Sequence, residues 1–146
     1  MLARAFTPDP LWSAIIPDDS KRPGQLDGMF RALIRTVEAD NGLATATAGV
    51  DAVALWNPPG HSMGLGAIVR SRFALVRPTL AMAGADRRRM AAVMRQLDGR
   101  HKKLMPEPHW YLMAIGVDSH KQGGGLGSAL VRDGLRRADA DGAATY

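Results

Sequence analysis

His109-Trp-Tyr-Leu-Met-Ala-Ile-Gly-Val117 is a nine-residue, largely apolar run, and it leads directly into Asp118-Ser-His-Lys-Gln-Gly-Gly-Gly-Leu-Gly127. Four glycines fall between Gly123 and Gly127, and a helical pattern begins immediately after them. A strand, a glycine-rich turn and a helix in this order build an anion cradle. The amides of the turn converge, and the helix N-terminus adds its partial positive charge. A phosphate-bearing ligand is therefore expected here.

Within the strand, Trp110, Leu112 and Ala114 alternate with Tyr111, Met113, Ile115 and Val117, so both faces are apolar. That pattern predicts a central strand covered on both sides. In the helix beyond the glycines, Val131, Leu135 and Ala138 are expected to face inward, with Arg132, Arg136, Arg137 and Asp139 outward. Asp141-Gly142 ends it, and Ala143 to Tyr146 opens a further strand.

Upstream, residues 1–6 read as a short helix that stops before Pro8 and Pro10, and Leu11 to Ile16 as one more helical turn. Leu26, Phe30, Leu33, Ile34 and Val37 form one apolar helical face, closed by Asn41-Gly42. Leu43 to Ala48 and Ala52 to Trp56 are strands joined by Gly49-Val50-Asp51, a hairpin length. Leu65, Ile68, Val69, Phe73 and Val76 follow a helical stripe that ends near Pro78. A later helix starts at Asp86 as its N-cap and carries Met90, Val93, Met94 and Leu97 on one face. The mixture predicts an α/β (α+β) fold with helices around a mixed sheet, in one domain spanning 1–146.

Composition narrows the class. The chain has 146 residues, 46% of them hydrophobic, enough for a core and too many for disorder. It has no cysteine, which removes disulfide frameworks and thiolate zinc sites and fits a reducing, cytoplasmic setting. No apolar leader precedes Pro8, and the longest uncharged stretch, Ala52 to Val69, is interrupted by Pro58, Pro59 and Gly60. No membrane association is expected. The net charge of +5 is uneven: Arg70 to Lys103 holds ten basic residues and two acids, Asp86 and Asp98. The segment lacks interleaved aromatics, so a solvated helix face is favoured over a nucleic-acid surface.

Three phosphate-binding patterns compete for the glycines. A P-loop needs a Lys after the last Gly, where Ser128 stands. A dinucleotide fingerprint needs glycine at position 128 and an acidic residue about twenty positions on. The third pattern, Gln/Arg-x-x-Gly-x-Gly/Ala after a strand, is met by Gln122, Gly125 and Gly127.

That pattern resembles the signature of the GNAT superfamily of N-acetyltransferases. Trp110-Tyr111-Leu112, Ile115-Gly116-Val117-Asp118 and the run from Gln122 to Leu130 are similar to its puromycin N-acetyltransferase-like branch. So are Ala5-Phe6 with Asp9-Pro10-Leu11, and Ala54-Leu55-Trp56 with Pro58-Pro59-Gly60. The resemblance implies a mostly antiparallel mixed sheet, acetyl-CoA as cosubstrate, and a cofactor-binding core at about residues 109–142. It implies that the main chain of Ile115, Gly116 and Val117 pairs with the pantetheine arm. It also implies that Gln122, Gly123, Gly124, Gly125, Leu126, Gly127 and Ser128 hold the pyrophosphate. It further implies a domain incomplete at both ends. Met1 falls inside the family's first helix, and the helix that carries a thiolate-protonating Tyr would lie beyond Tyr146. That role is not carried onto Tyr146.

Direct transfer to the amine of a small molecule needs a deprotonated amine, an oxyanion stabiliser and a proton donor for the thiolate. Glu107 and His109, just ahead of the strand, are the candidates for a general base. A solvated loop carboxylate and a structural histidine are the plainer alternatives. His61 reads as a loop residue, His101 as a partly buried helix residue and His120 as solvated. The histidine spacings give no metal set. Trp12, Trp56 and Trp110 read first as core and second as pocket walls. A catalytically silent CoA-binding module and a basic nucleic-acid-binding domain are the alternative functions. Unpaired sheet edges would favour a homodimer.

Overall fold

The protein is described by a computed structural model over residues 1–60 and 74–146. The expected stripe at Leu65, Ile68, Val69 and Phe73, and the loop position of His61, lie outside these residues. The described elements are α1 (Leu2–Phe6), α2 (Pro10–Ile15), α3 (Arg22–Ala39), β1 (Leu43–Ala46), β2 (Ala52–Asn57), α4 (Val76–Ala81), α5 (Gly84–Leu104), β3 (His109–Val117), α6 (Leu126–Ala140) and β4 (Ala144–Thr145). A single 3-10 turn, Ser119–Lys121, sits between β3 and α6.

Local chemistry sets most boundaries. Asp9 caps α2 by accepting from the amides of Leu11 and Trp12, and Pro10 takes the first helical position, where no N–H is needed. Asn41 adopts φ 57° after α3, and the Gly42 amide returns to the Val37 carbonyl at 2.8 Å. A Cβ on Gly42 would lie 2.5 Å from the Trp56 carbonyl, so glycine also lets α3 turn tightly into β1. In the hairpin loop the Thr47 hydroxyl oxygen accepts from the amides of Asp51 and Ala52. Val50 sits there at φ 55°, a strained setting for a β-branched residue.

The sheet runs β1-β2-β3-β4, antiparallel at the first two pairings and parallel at the last. It is mixed and mostly antiparallel, with helices on both faces. One face packs on α1, α2 and α3 through Leu2, Ile15, Leu26, Phe30, Val53 and Leu55. The other face packs on α6 through Ala52, Ala54, Trp56, Trp110, Leu130 and Ala138. All six residues of β2 are buried, as expected of a strand between two helical layers.

Several details differ from the sequence reading. A bulge opposite Leu55/Trp56 leaves Met113 without a cross-strand partner. The extra residue shifts the side-chain alternation, so Ile115 and Val117 join Trp110 and Leu112 on the α6 face, while Ala114 joins the opposite core. β3 is central only in its first half, because β4 pairs with His109 and Trp110 and extends no further than the bond from Leu112 N–H to Tyr146 O. The buried face of α6 is Leu130, Gly134 and Ala138: Ala138 is inward as expected, Leu130 and Gly134 take the places expected of Val131 and Leu135, and Leu135 is exposed. Pro78 does not end a helix. It lies in the first turn of α4, where its missing N–H costs nothing. Asp86 is not a cap: α5 begins two residues before it, and Asp86 is buried in the first turn, paired with Arg89. Met90 and Val93 pack on the core, whereas Met94 and Leu97 are exposed.

Candidate functional site

The glycine turn links the end of β3 to the start of α6. Asp118 opens it by accepting the His120 amide at 3.1 Å, which sets the 3-10 turn. Asp118 also accepts from Arg4 Nη2 at 3.0 Å. The Arg4 guanidinium, helped by the His120 amide, holds the Asp118 carboxyl below the ordinary aspartate range. The carboxylate is therefore ionised and charge-matched rather than left to repel an anion nearby.

Each glycine has its own cause. Gly123 and Gly125 adopt φ 80° and 77°, the left-handed region that side chains disfavour, and a Cβ on either would meet open space. Backbone conformation alone selects them. Gly127 is different. A Cβ there would lie 3.3 Å from Val117 Cγ2 and 3.7 Å from Ile115 Cδ1, so this glycine lets α6 seat closely on β3. Gly124 meets only the Lys121 carbonyl at an ordinary 3.6 Å, so neither cause selects it.

Gly125 is the N-cap of α6 and no side chain caps the helix. The first intrahelical bond runs from Ala129 N–H to Gly125 O. The amides of Leu126, Gly127 and Ser128 thus have no carbonyl within the helix and point out of its N-terminus. Residues 119–125 and Ser128 around this end are exposed, and Leu126 and Gly127 are half-buried. Gln122 shapes the turn by donating its side-chain amide to the Val117 carbonyl at 3.3 Å.

Beside the turn lies the free half of β3. Asp118 N–H donates to Asp51 O across the β2 hairpin, and Gly116 stands opposite Val53. Period-two alternation then turns the backbone groups of Gly116 toward β2 and those of Ile115 and Val117 to the other side. No strand among the described residues covers that side beyond Leu112. Of the three residues expected to pair with an extended ligand, Ile115 and Val117 are placed to do so. Gly116 has a packing role instead: its Cβ would lie 2.9 Å from Leu2 Cδ2, under α1.

The candidate bases lie elsewhere. His109 is at the far end of β3, about 26 Å from Val117 along the strand at 3.3 Å per residue. It is buried, with Nδ1 2.6 Å from the Glu107 carbonyl and Nε2 2.6 Å from His101 Nε2. Glu107 contributes that carbonyl, and its side chain is exposed. Neither residue is brought to the open edge. His101 is partly buried, as expected, and stacks on Tyr111 at 4.3 Å and Tyr146 at 5.0 Å. Burial, aided by His109, pushes His101 below the ordinary histidine value, and burial raises the Tyr111 phenol. His120 is exposed.

The tryptophans are packed against neighbouring elements. Trp12 meets Phe30 edge-on at 6.1 Å, and Trp110 donates to Asp141 at 3.1 Å. Trp56 is 2% exposed against α6, where a Cβ on Gly134 would fall 2.2 Å from its ring. Sequence reasoning missed Gly134, although a glycine inside a helix is itself a signal of close packing. It also missed Arg22, a buried helix-start arginine that donates to the carbonyls of Ile16, Thr7 and Pro17. Among the described residues no three His, Asp or Glu side chains converge as a metal set, and no helix is long and apolar enough to cross a membrane. Compared with known protein families, the sequence matches no family model.

Proposed function

We propose that this protein is an acetyl-CoA-dependent N-acetyltransferase of the GNAT type that transfers the acetyl group directly to the amine of a small molecule in the cytoplasm. One observation carries the reading: an uncapped α6 N-terminus, reached through left-handed Gly123 and Gly125, opens beside the free edge of β3. An anionic pyrophosphate suits the first, and an amide-bearing pantetheine arm suits the second. The amides of Leu126, Gly127 and Ser128 would bind the phosphates, and the main chain of Ile115 and Val117 would orient the arm. In the reaction the amine nitrogen attacks the thioester carbon, the C–S bond breaks, and the thiolate leaves with the proton that the nitrogen gives up. The absence of cysteine suits a reducing compartment.

Isothermal titration with acetyl-CoA tests binding, and a thiol-release assay across a panel of amines tests transfer. Saturable binding is expected, and its loss in both Gly125→Val and Gly127→Val, with far-UV circular dichroism unchanged. Absence of saturable binding to the wild type overturns the proposal, as does wild-type affinity in both variants. A second reading, a CoA-binding module without catalysis, draws support from His109, whose two ring nitrogens are both engaged far from the turn. Binding without thiol release for any amine would favour it. The basic-domain reading has less support, because Asp86 and Asp98 each neutralise a neighbouring cation on α5.

A further inference from the structure

We propose that His101 and His109 form a one-proton latch that pins the end of α5 and the β4 segment to the start of β3 and opens when a second proton binds. The argument is one of counting hydrogens. The Glu107 carbonyl can only accept, so at 2.6 Å His109 Nδ1 carries a hydrogen. In the neutral pair His109 Nε2 is therefore a lone pair, and His101 Nε2–H donates to it across 2.6 Å. A first proton is accommodated on His101 Nδ1 with the shared hydrogen kept, and the bond becomes charge-assisted. A second proton has no such place. It would put N–H groups on both Nε2 atoms, facing each other with two like charges, and the rings must part.

Parting the rings has structural consequences. The His101 ring lies nearly parallel to Tyr146, at 5.0 Å and 11°, and to Tyr111, at 4.3 Å and 25°. His109 and Tyr111 belong to β3, and Tyr146 follows β4 directly. One imidazole thus joins the end of α5, the start of β3 and the residue after β4. β4 pairs with β3 at only two positions, His109 with Ala144 and Trp110 with Thr145, and the next residue adds bonds from Tyr146 N–H to Trp110 O and from Leu112 N–H to Tyr146 O. The latch sits just before the bulge at Met113, where β3 loses its outer partner, so opening it would lengthen the free edge.

Other charges do not rescue the doubly protonated pair. On α5, Asp98 favours the charged form of His101 and Lys102 opposes it, and the two are bridged to each other at 2.8 Å. Tyr111 and Tyr146 present their ring faces to His101, and burial raises the Tyr111 phenol. The segment ahead of β3 contributes the Glu107 carbonyl, with its carboxylate in solvent. This inference is independent of what the glycine turn binds.

Imidazole nitrogen NMR of the intact chain between pH 8 and 4.5, with amide hydrogen exchange at Tyr146, provides the test. The pair is expected to take up its two protons in separate steps. The second should coincide with loss of the Tyr111 and Tyr146 ring-current shifts and at least a tenfold rise in Tyr146 exchange. In His101→Gln the side-chain amide can donate to His109 Nε2, or offer its oxygen once His109 is protonated, so the opening should move at least one pH unit lower. Two independent imidazole titrations with Tyr146 still protected would overturn the proposal. An opening at the wild-type pH in His101→Gln would also overturn it, and the wild-type titration decides alone if that variant does not fold.

Discussion

Replacing Gly134 with alanine sets two physical effects against each other, and the structure decides the sign. Alanine in a helix interior is favoured over glycine by about 1 kcal/mol. Here, however, the added Cβ would lie 2.2 Å from Trp56 Cε2 and 2.5 Å from Cζ2 and Nε1. Ordinary carbon contacts fall at about 3.5–4.0 Å, so α6 or the indole must retreat by more than about 1 Å. The indole has no room, since Trp56 is 2% exposed and packs among Ala54, Trp110 and Leu130. Overpacking of this kind costs about 1–3 kcal/mol, and the severity of the overlap places Gly134→Ala at or beyond the upper end. A net loss of about 2 kcal/mol follows after the helix gain is subtracted.

Gly99 in α5 supplies the control, because a Cβ there meets nothing within 4 Å. Gly99→Ala should stabilise by about 1 kcal/mol. Urea unfolding followed by circular dichroism measures both, and an unchanged m-value confirms that the shift in midpoint is a shift in stability. Trp56→Phe should relieve the clash, so the Gly134→Ala penalty should shrink in that background by at least 1 kcal/mol, as coupled contacting sites do. A Gly134→Ala protein as stable as the wild type would refute the packing argument. Because α6 carries Gly127 against β3, the same variant should also weaken acetyl-CoA binding, whereas Gly99→Ala should not.

Arg22→Met keeps the aliphatic stem but strands the carbonyls of Ile16, Thr7 and Pro17, and chemical denaturation should show a loss of about 3 kcal/mol. Val50→Asn, which relieves a β-branched side chain at φ 55° in an exposed turn, should raise the unfolding free energy by about 1 kcal/mol, read from a higher urea midpoint at unchanged m-value. Stability should fall on acidification below about pH 6.5, where both latch histidines of the unfolded chain bind protons and the folded pair refuses the second. The unfolded state then holds the extra proton, so each pH unit removes about 1.4 kcal/mol. Urea midpoints at pH 7.5 and 5.0 check this, and His101→Gln should flatten the slope.

Features encoded by neighbours in the chain were readable from the sequence. Asn41-Gly42 and Asp141-Gly142 end their helices through left-handed residues, Asn41 at φ 57° and Gly142 at φ 62°. The strand, glycine turn and helix from His109 onward follow in the expected order, with Gly123 and Gly125 at positive φ. What failed depended on contacts between distant segments. Periodicity predicts Val131, Leu135 and Ala138 as the inward face of α6; Ala138 is buried, but Trp56 arrives from β2 and needs the gap that Gly134 leaves, so Leu135 is turned to solvent. Strict alternation in β3 misses the bulge, which arises only when β2 is laid alongside. The pairing of His101 with His109 is likewise invisible, since the intervening Pro106 and Pro108 conceal how the chain folds back.

The glycines of the turn show why composition alone was an incomplete guide to the site. In the sequence Gly123, Gly124, Gly125 and Gly127 stand side by side, and nothing there says which of them serves positive φ and which serves close approach. The structure separates them into backbone conformation at Gly123 and Gly125, helix seating at Gly127 and neither at Gly124. That division bears on function. A ligand-free architectural turn would need Gly125 and Gly127 as well, because φ and packing are already demanding. The amides of Leu126, Gly127 and Ser128, with no capping side chain, are the donors that such a turn leaves open. A capping side chain at position 125 is excluded by its left-handed φ of 77°, so the helix gives up a stabilising cap in exchange for an open end. Water can satisfy such an end, and in the proposed function a phosphate of the ligand would take its place.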